Sequence, residues 1–418
     1  MKKNLSLLLA LLLLLCTLSG CGSAENAETT EPTETESAAD AGAETEAPME
    51  TESVAATLDL DSAADAYPMD AEIMTVNGKA LTWDIYYHAL RQYIYELTYY
   101  YAVSDLSEEL MEGYTYADYV RESVNGSLSS IAMLFAKADE LGLTLDEDTL
   151  AGIDEEFACY ADLYYEGDLD ALFADLGSEE FCRFQAEGSA YYSALLNYYY
   201  GENGANLPNA DVVSYAEDQG YLNAKHILFK TVDDNGDALS DEEIAEKKAN
   251  AEATLALLQA VSADELEASF DALMQEQSED TGLLYYPDGY YFQEGEMVDE
   301  FYEAAAALEV GEVSDLVTSS YGYHILYRPA MDPDDVVDYD SSYNAYTLRD
   351  LAVNGLFENM MYEWFTALTV EYADGIETLD LAALFPAVET TDTDTAEADA
   401  AETDDAAETD DAAETAES

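Results

Sequence analysis

Apolar positions recur along the chain in two distinct rhythms. Residues 74–81 read as a short strand turned at Asn77-Gly78. Thr82 is placed to cap a helix in which Ile85, Tyr86, His88, Tyr93 and Leu97 recur at three- and four-residue spacing. Helical patterns follow at residues 117–141, 146–165 and 178–200, each closed by glycine or a turn cluster. From Gly220 the rhythm changes: residues 221–232 alternate as a strand, 240–258 read as a capped helix, and 263–274 as a second helix. A loop rich in Gly and Tyr leads to a helix at 299–308, a turn at 310–313, and strands around 316–318 and 321–327. Strand, helix, helix, loop, helix, strand and strand make a small α+β unit. A last helical segment, 343–368, has Leu348, Leu351, Leu356, Met360, Trp364 and Leu368 at helical spacing and no partner of its own. It is expected to pack back onto the first helical region.

The two ends have no such rhythm. Residues 22–66 contain no basic and no aromatic residue, so they cannot bury enough surface to offset the entropy of ordering. They read as an acidic disordered linker with a root-mean-square reach of about 40 Å. After Pro386 the chain repeats Glu-Thr-Asp-Asp-Ala-Ala from Glu402 and Glu408, a second acidic, disordered tail. At the start, Lys2 and Lys3 precede a leucine-rich run too short to span a bilayer, as in a secretory signal. Leu18-Ser19-Gly20-Cys21 resembles the lipobox of bacterial lipoproteins. By that resemblance residues 1–20 are a cleaved signal and Cys21 is the lipid-modified first residue of an extracytoplasmic, membrane-anchored protein. The expected bodies are residues 67–219, helical; 220–332, α+β; and 333–386, a C-terminal helical segment; residues 21–66 and 387–418 form the acidic ends.

Charge narrows the partners. With 92 acidic against 13 basic residues the formal charge is −79, which repels nucleic acid. Beyond Cys21 the remaining cysteines are Cys159 and Cys182, and the sequence leaves open whether they pair or stay as two buried thiols. Tyrosine is abundant, at 34 residues, with clusters at 99–101, 164–165, 191–192 and 198–200. Such rings suit a surface that holds varied peptides, although filling helix contacts is the commoner use. His88, on an aromatic helix face, reads as structural.

Two of the three histidines occupy matching settings, Lys225-His226-Ile227-Leu228 and Tyr323-His324-Ile325-Leu326. Between them lie Ser278-Glu279-Asp280, then Gly295-Glu296-Met297-Val298-Asp299-Glu300-Phe301, then Leu308-Glu309-Val310-Gly311-Glu312-Val313-Ser314. In that order and spacing these stretches resemble the parvulin family of peptidyl-prolyl isomerases over residues 220–329. The flanking helices and lipobox look like the PrsA-type foldases, relatives of the SurA chaperones.

The resemblance implies an inserted parvulin domain, a small antiparallel sheet packed with helices. Around it stands a chaperone domain made from the N-terminal helices and the returning C-terminal helix. It implies a peptidyl-prolyl cis-trans isomerase with catalytic positions His226, Asp280 and His324, and with Met297 and Phe301 walling a proline slot. The histidines would sit on adjacent strands, hydrogen-bonded, beneath the site; Asp280 would stand at its rim. Separately, a helix beginning near Asp299 puts positions 297 and 301 on one face. One departure matters: the family's Gly-Gly-Asp-Leu-Gly loop is replaced by residues 285–291, and its leucine falls at Gly289. The third wall is then expected from Tyr290 or Tyr291, or is absent. The acidic neighbours Glu294, Glu296, Asp299 and Glu300 argue against a phosphorylated substrate, which needs a basic cluster. No cofactor or metal is called for.

The expected partners are folding secreted polypeptides with X-Pro bonds, and the membrane through the lipid. The oligomeric state is left open, a dimer included. A competing reading is a holdase whose parvulin module binds peptide without turning it over. A third, a solute-binding lipoprotein, requires a two-lobed parallel α/β body that the helical first half does not suggest.

Overall fold

Asn77 and Gly78 both take positive φ, 47° and 90°, and close a tight antiparallel hairpin in this computed structural model, which describes residues 56–339 and 344–389. The signal, the lipidation position Cys21, residues 21–55 of the expected linker and the tail from residue 390 lie outside the described residues. Residues 56–66 and 387–389, expected to be disordered, are instead ordered: residues 56–58 and 387–389 form a two-stranded ladder, and Leu58 and Ala63 are buried in the helical core. Strand β1 (Ala56–Leu58) comes first, and β2 (Glu72–Val76) and β3 (Lys79–Thr82) are the arms of the hairpin. Thr82 then caps α1 (Trp83–Tyr101), its side chain accepting from the Ile85 amide.

The hairpin of β4 (Glu109–Met111) and β5 (Tyr114–Thr115) leads into α2 (Tyr116–Leu141), started by a Thr115–Asp118 capping box and stopped at Gly142. Next come α3 (Glu147–Tyr164), α4 (Leu169–Leu176) and α5 (Glu179–Tyr200). Trp83, Tyr86, Leu90 and Ile94 of α1 share one buried core with Val120, Val124, Leu128 and Ile131 of α2 and with Phe157, Phe173 and Phe181. Cys182 is a free, buried thiol, so the pairing with Cys159 that the sequence left open is not formed.

Contacts divide the chain into two units, one of residues up to 192 together with those from 367, the other of residues 193–366. In the second unit α6 (Asn209–Asp218) precedes the long strand β6 (Leu222–Lys230). Then follow α7 (Asp241–Leu258), α8 (Leu266–Gln277), β7 (Tyr290–Phe292), α9 (Asp299–Ala307), β8 (Val317–Thr318) and β9 (Gly322–Tyr327). The four strands form one antiparallel sheet in the order β7-β6-β9-β8. A short hairpin of β10 (Val336–Tyr339) and β11 (Ala345–Thr347) then enters α10 (Leu348–Thr366). Helix α10 buries Leu348, Ala352 and Val353 against Leu207 and against Val212 and Ala216 of α6.

Beyond α10 the chain rejoins the first unit: β12 (Val370–Tyr372) adds to β2, α11 (Leu381–Leu384) follows, and β13 (Ala387–Glu389) pairs with β1. The result is the α+β class expected. Among the described residues no helix is long and apolar enough to cross a membrane.

The sheet of the second unit is the part that positions chemistry. Strand β6 is buried from Asn223 to Phe229, as a central strand covered on both faces must be. Its odd positions Ile227 and Phe229 join Ile325 and Tyr327 against Ala251, Leu258, Phe270 and Met274 of α7 and α8. Its even positions face the other way, where Ala224 and Leu326 pack with Phe292, Phe301 and Ala305. The chemistry lies on that second face.

Candidate active site

In the β6–β9 ladder Leu228 stands opposite His324, and His226 opposite Leu326. The two histidines are therefore diagonal neighbours on one face, near enough for long side chains to meet. Their Nδ1 atoms lie 3.2 Å apart and the rings are nearly parallel, at 14°. Both are buried, at 6% and 3% exposure.

Asp280 is brought to them by the segment that follows α8. The Glu279 amide donates to the Leu228 carbonyl at 2.8 Å, the Leu228 amide donates to Ser278 Oγ at 3.1 Å, and the Lys230 amide donates to Glu279 Oε2 at 2.8 Å. With residues 278 and 279 clipped onto β6, the next side chain reaches His226: Asp280 Oδ2 is 2.8 Å from Nε2. Oδ1 of Asp280 accepts from the Gly282 amide at 3.0 Å and so caps the turn that carries Thr281 to Leu284. Tyr290 donates its hydroxyl proton to Oδ2 at 2.6 Å.

These contacts decide the electrostatics. Burial pushes the Asp280 carboxyl up, but hydrogen bonds from His226 and Tyr290 outweigh it and hold the group down at about 2. His324 is pushed down to about 4 by burial and by the neighbouring His226, against the pull of Asp280. Ser319 Oγ is 2.7 Å from the remaining His324 nitrogen, Nε2. With one proton on each imidazole, an ionised Asp280 leaves a single consistent pattern. The Ser319 hydroxyl donates to His324 Nε2, His324 Nδ1–H donates to His226 Nδ1, and His226 Nε2–H donates to Asp280.

Over this polar line lies an apolar one. Phe301, 3% exposed, comes from the first turn of α9 and meets His226 and His324 edge-on, at centroid distances of 5.2 and 5.7 Å. Phe292 backs it at 5.5 Å. Met297, half-buried, packs against the same cluster four residues earlier. Tyr290 stands opposite Ala224 in the β6–β7 ladder and sets its ring edge-on to His226 at 5.7 Å.

The six described positions singled out from sequence, His226, Asp280, Tyr290, Met297, Phe301 and His324, thus share one face and one cluster. Tyr291 does not join them; its hydroxyl donates to Asp335 Oδ2 at 2.7 Å. Gly289, where the leucine would fall, has φ +98°, and a Cβ there would lie 2.7 Å from the Ala224 carbonyl oxygen, so no side chain fits. Two contributors escaped the sequence reading, Ser319 and Phe292, while Ser278 was part of a quoted stretch but had no role as a clip. Phe292 shares strand parity with Tyr290, and that alternation was the available signal.

Residues 226–330 match the family model described as Rotamase, the PPIC-type PPIase domain. The chain therefore carries a parvulin-type peptidyl-prolyl cis-trans isomerase domain. More particularly, it is similar to the foldase protein PrsA of Oceanobacillus iheyensis, with 33% identity over 130 residues, 31% of this chain and 44% of the relative. The peptidyl-prolyl cis-trans isomerase ESS1 of Saccharomyces cerevisiae is 37% identical over 105 residues, 25% of this chain and 62% of that protein. Among solved structures, that of PrsA from Bacillus subtilis aligns with 63% of this chain and 91% of its own at 20% identity and a TM-score of 0.23. The chain spans less than half the length of the curated foldase from Oceanobacillus.

Proposed function

We propose that this chain is an extracytoplasmic foldase, held at the membrane by a lipid on Cys21, that accelerates cis-trans isomerisation of X-Pro bonds in secreted polypeptides. In this reading the helical unit holds unfolded segments while the parvulin domain turns their prolines. The observation that carries it is the continuous line from Ser319 through His324 and His226 to Asp280, roofed by Phe301 and Met297.

Rotation about an imide bond has a barrier of about 18 to 20 kcal/mol because it breaks amide resonance, and no covalent step is needed to lower it. A catalyst has to hold the proline ring and strip water from the imide. The twisted state has lost the charge separation of the planar amide, so an apolar wall favours it over the ground state. Phe301 and Met297 are that wall in this reading, and Tyr290 replaces the missing leucine. Asp280 is the charged rim, and the two histidines hold it in place more than they transfer protons.

An isomerisation assay on the full chain with a short X-Pro peptide, followed by exchange NMR, tests the proposal. A rate well above the uncatalysed control is expected. A rate equal to that control, from a folded chain, would leave the holdase reading, which the absence of any side chain at Gly289 favours.

A further inference from the structure

The last two turns of α1 display aromatic surface that no other described residue covers. Tyr95, Tyr99, Tyr100 and Tyr101 are 52, 67, 71 and 72% exposed. Tyr95 and Tyr99, one helical turn apart, stack at 5.7 Å with an interplanar angle of 16°, and Tyr100 meets Tyr99 edge-on at 4.9 Å. The rings steady one another instead of entering the core, so the surface is formed before anything binds and little side-chain entropy remains to be lost. Tyr95 also lines a cavity of about 600 Å³ within the helical unit, beside Phe157, Phe181 and Glu156.

Charge along this part of the sequence is mostly of one sign, the exception being Arg91, which lines the same cavity as Tyr95. From Gln92 to Val120 there is no Lys or Arg, whereas Glu96, Asp105, Glu108, Glu109, Glu112 and Asp118 all fall there. The last turn of α1 has no basic residue, so the negative end of the helix dipole is not offset. The nearest cation in sequence, Arg91, has its Nε 3.5 Å from Asp61 Oδ1. Exposed π faces in an acidic field attract guanidinium and ammonium groups from two sources, ring quadrupole and net charge. A neutral apolar chain would gain from only the rings.

We infer that the Tyr95–Tyr99–Tyr100 ladder is a docking surface for cationic, Arg- or Lys-bearing stretches of unfolded polypeptide. This rests on the reading of the helical unit as the part that holds clients and names what it holds. The cavity beside Tyr95 then receives a neighbouring side chain of the same segment.

The test uses the full chain and a labelled, proline-free, unstructured peptide with arginine at alternate positions, beside its glutamine counterpart; the lack of proline keeps the isomerase site out of the measurement. By fluorescence anisotropy the arginine peptide is expected to bind at least tenfold more tightly. Replacing Tyr95, Tyr99 and Tyr100 together by Leu should weaken it by about tenfold, while replacing all three by Phe should stay within about twofold, because phenyl retains the quadrupole. These rings are exposed, so each triple variant should keep the parent's circular dichroism. Unchanged affinity in the Leu variant would reduce the binding to diffuse attraction by an acidic chain and overturn the inference. Equal affinity for both peptides would also overturn it. If neither peptide binds, the client-holding role of the helical unit falls with it, whereas the isomerase proposal is judged by its own rate assay.

Discussion

Tyr290 and His226 converge on one oxygen: Oδ2 of Asp280 accepts from the phenol at 2.6 Å and from the imidazole at 2.8 Å. Replacing Tyr290 by Phe removes one of the two bonds that outweigh burial. The Asp280 pKa should then rise from about 2 toward its ordinary 3.8, read by carboxylate carbon shifts through an acid titration. An unmoved titration would mean that Tyr290 does not bond to Asp280 in solution. Gly282→Ala is the complementary probe, since a Cβ there would lie 1.9 Å from the Tyr290 hydroxyl and push it off the carboxylate.

His324 makes the parvulin domain sensitive to mild acid. Its folded pKa, about 4, lies below the ordinary 6.5, so below pH 6.5 the unfolded chain binds the proton that the folded one refuses. Stability is unaffected above pH 6.5, falls between pH 6.5 and 4, and by pH 4 the loss approaches roughly 3 kcal/mol. Asp280 acts lower down: its folded pKa of about 2 gives stability that is whole above pH 4 and lost as pH falls to 2. Urea midpoints at pH 7, 5.5 and 4.5 check the first window, and His324→Asn should flatten that slope.

Ser319→Ala leaves the buried Nε2 of His324 without its donor. A loss of about 1 kcal/mol is expected, since the residue lies where solvent can partly compensate. A merely structural role would stop there. If the hydroxyl fixes the tautomer, the imidazole nitrogen shifts of both His324 and His226 should move toward a mixture.

Phe301 and Met297 separate folding from turnover. Phe301→Ala opens a cavity between Phe292 and the histidines and should cost about 3 to 5 kcal/mol. The half-buried Met297→Ala should cost less, about 1 to 2 kcal/mol, yet slow isomerisation at least tenfold. Parental activity in Met297→Ala would remove it from the slot.

Much of the architecture could be read from the chain because its signals are local. Thr82, Thr115, Asp146 and Ser240 each cap a helix where capping chemistry is expected, and the period changes at Gly220. Helix α4 lies between Gly167 and Gly177, a stretch to which the helical patterns at 146–165 and 178–200 assign no element, although Asp168 caps it. Strands β1 and β13 are three residues each and lie at opposite ends of the described residues, so nothing local announces their ladder. The choice between Tyr290 and Tyr291 was equally closed to inspection: adjacent strand residues point to opposite faces, and only the pairing of Tyr290 with Ala224 tells which face is which. Ser319 sits in a turn whose side-chain direction no periodicity encodes.

The β6–β9 register centres on the pair Ile227–Ile325. About that point the two His-Ile-Leu triplets are exchanged by a local twofold rotation, each histidine facing the other triplet's leucine. Left to themselves the two imidazoles would be equivalent, and a proton between them would have no preferred owner. Asp280 at one end and Ser319 at the other break the equivalence, so a palindrome in the sheet becomes a vector that points from hydroxyl to carboxylate.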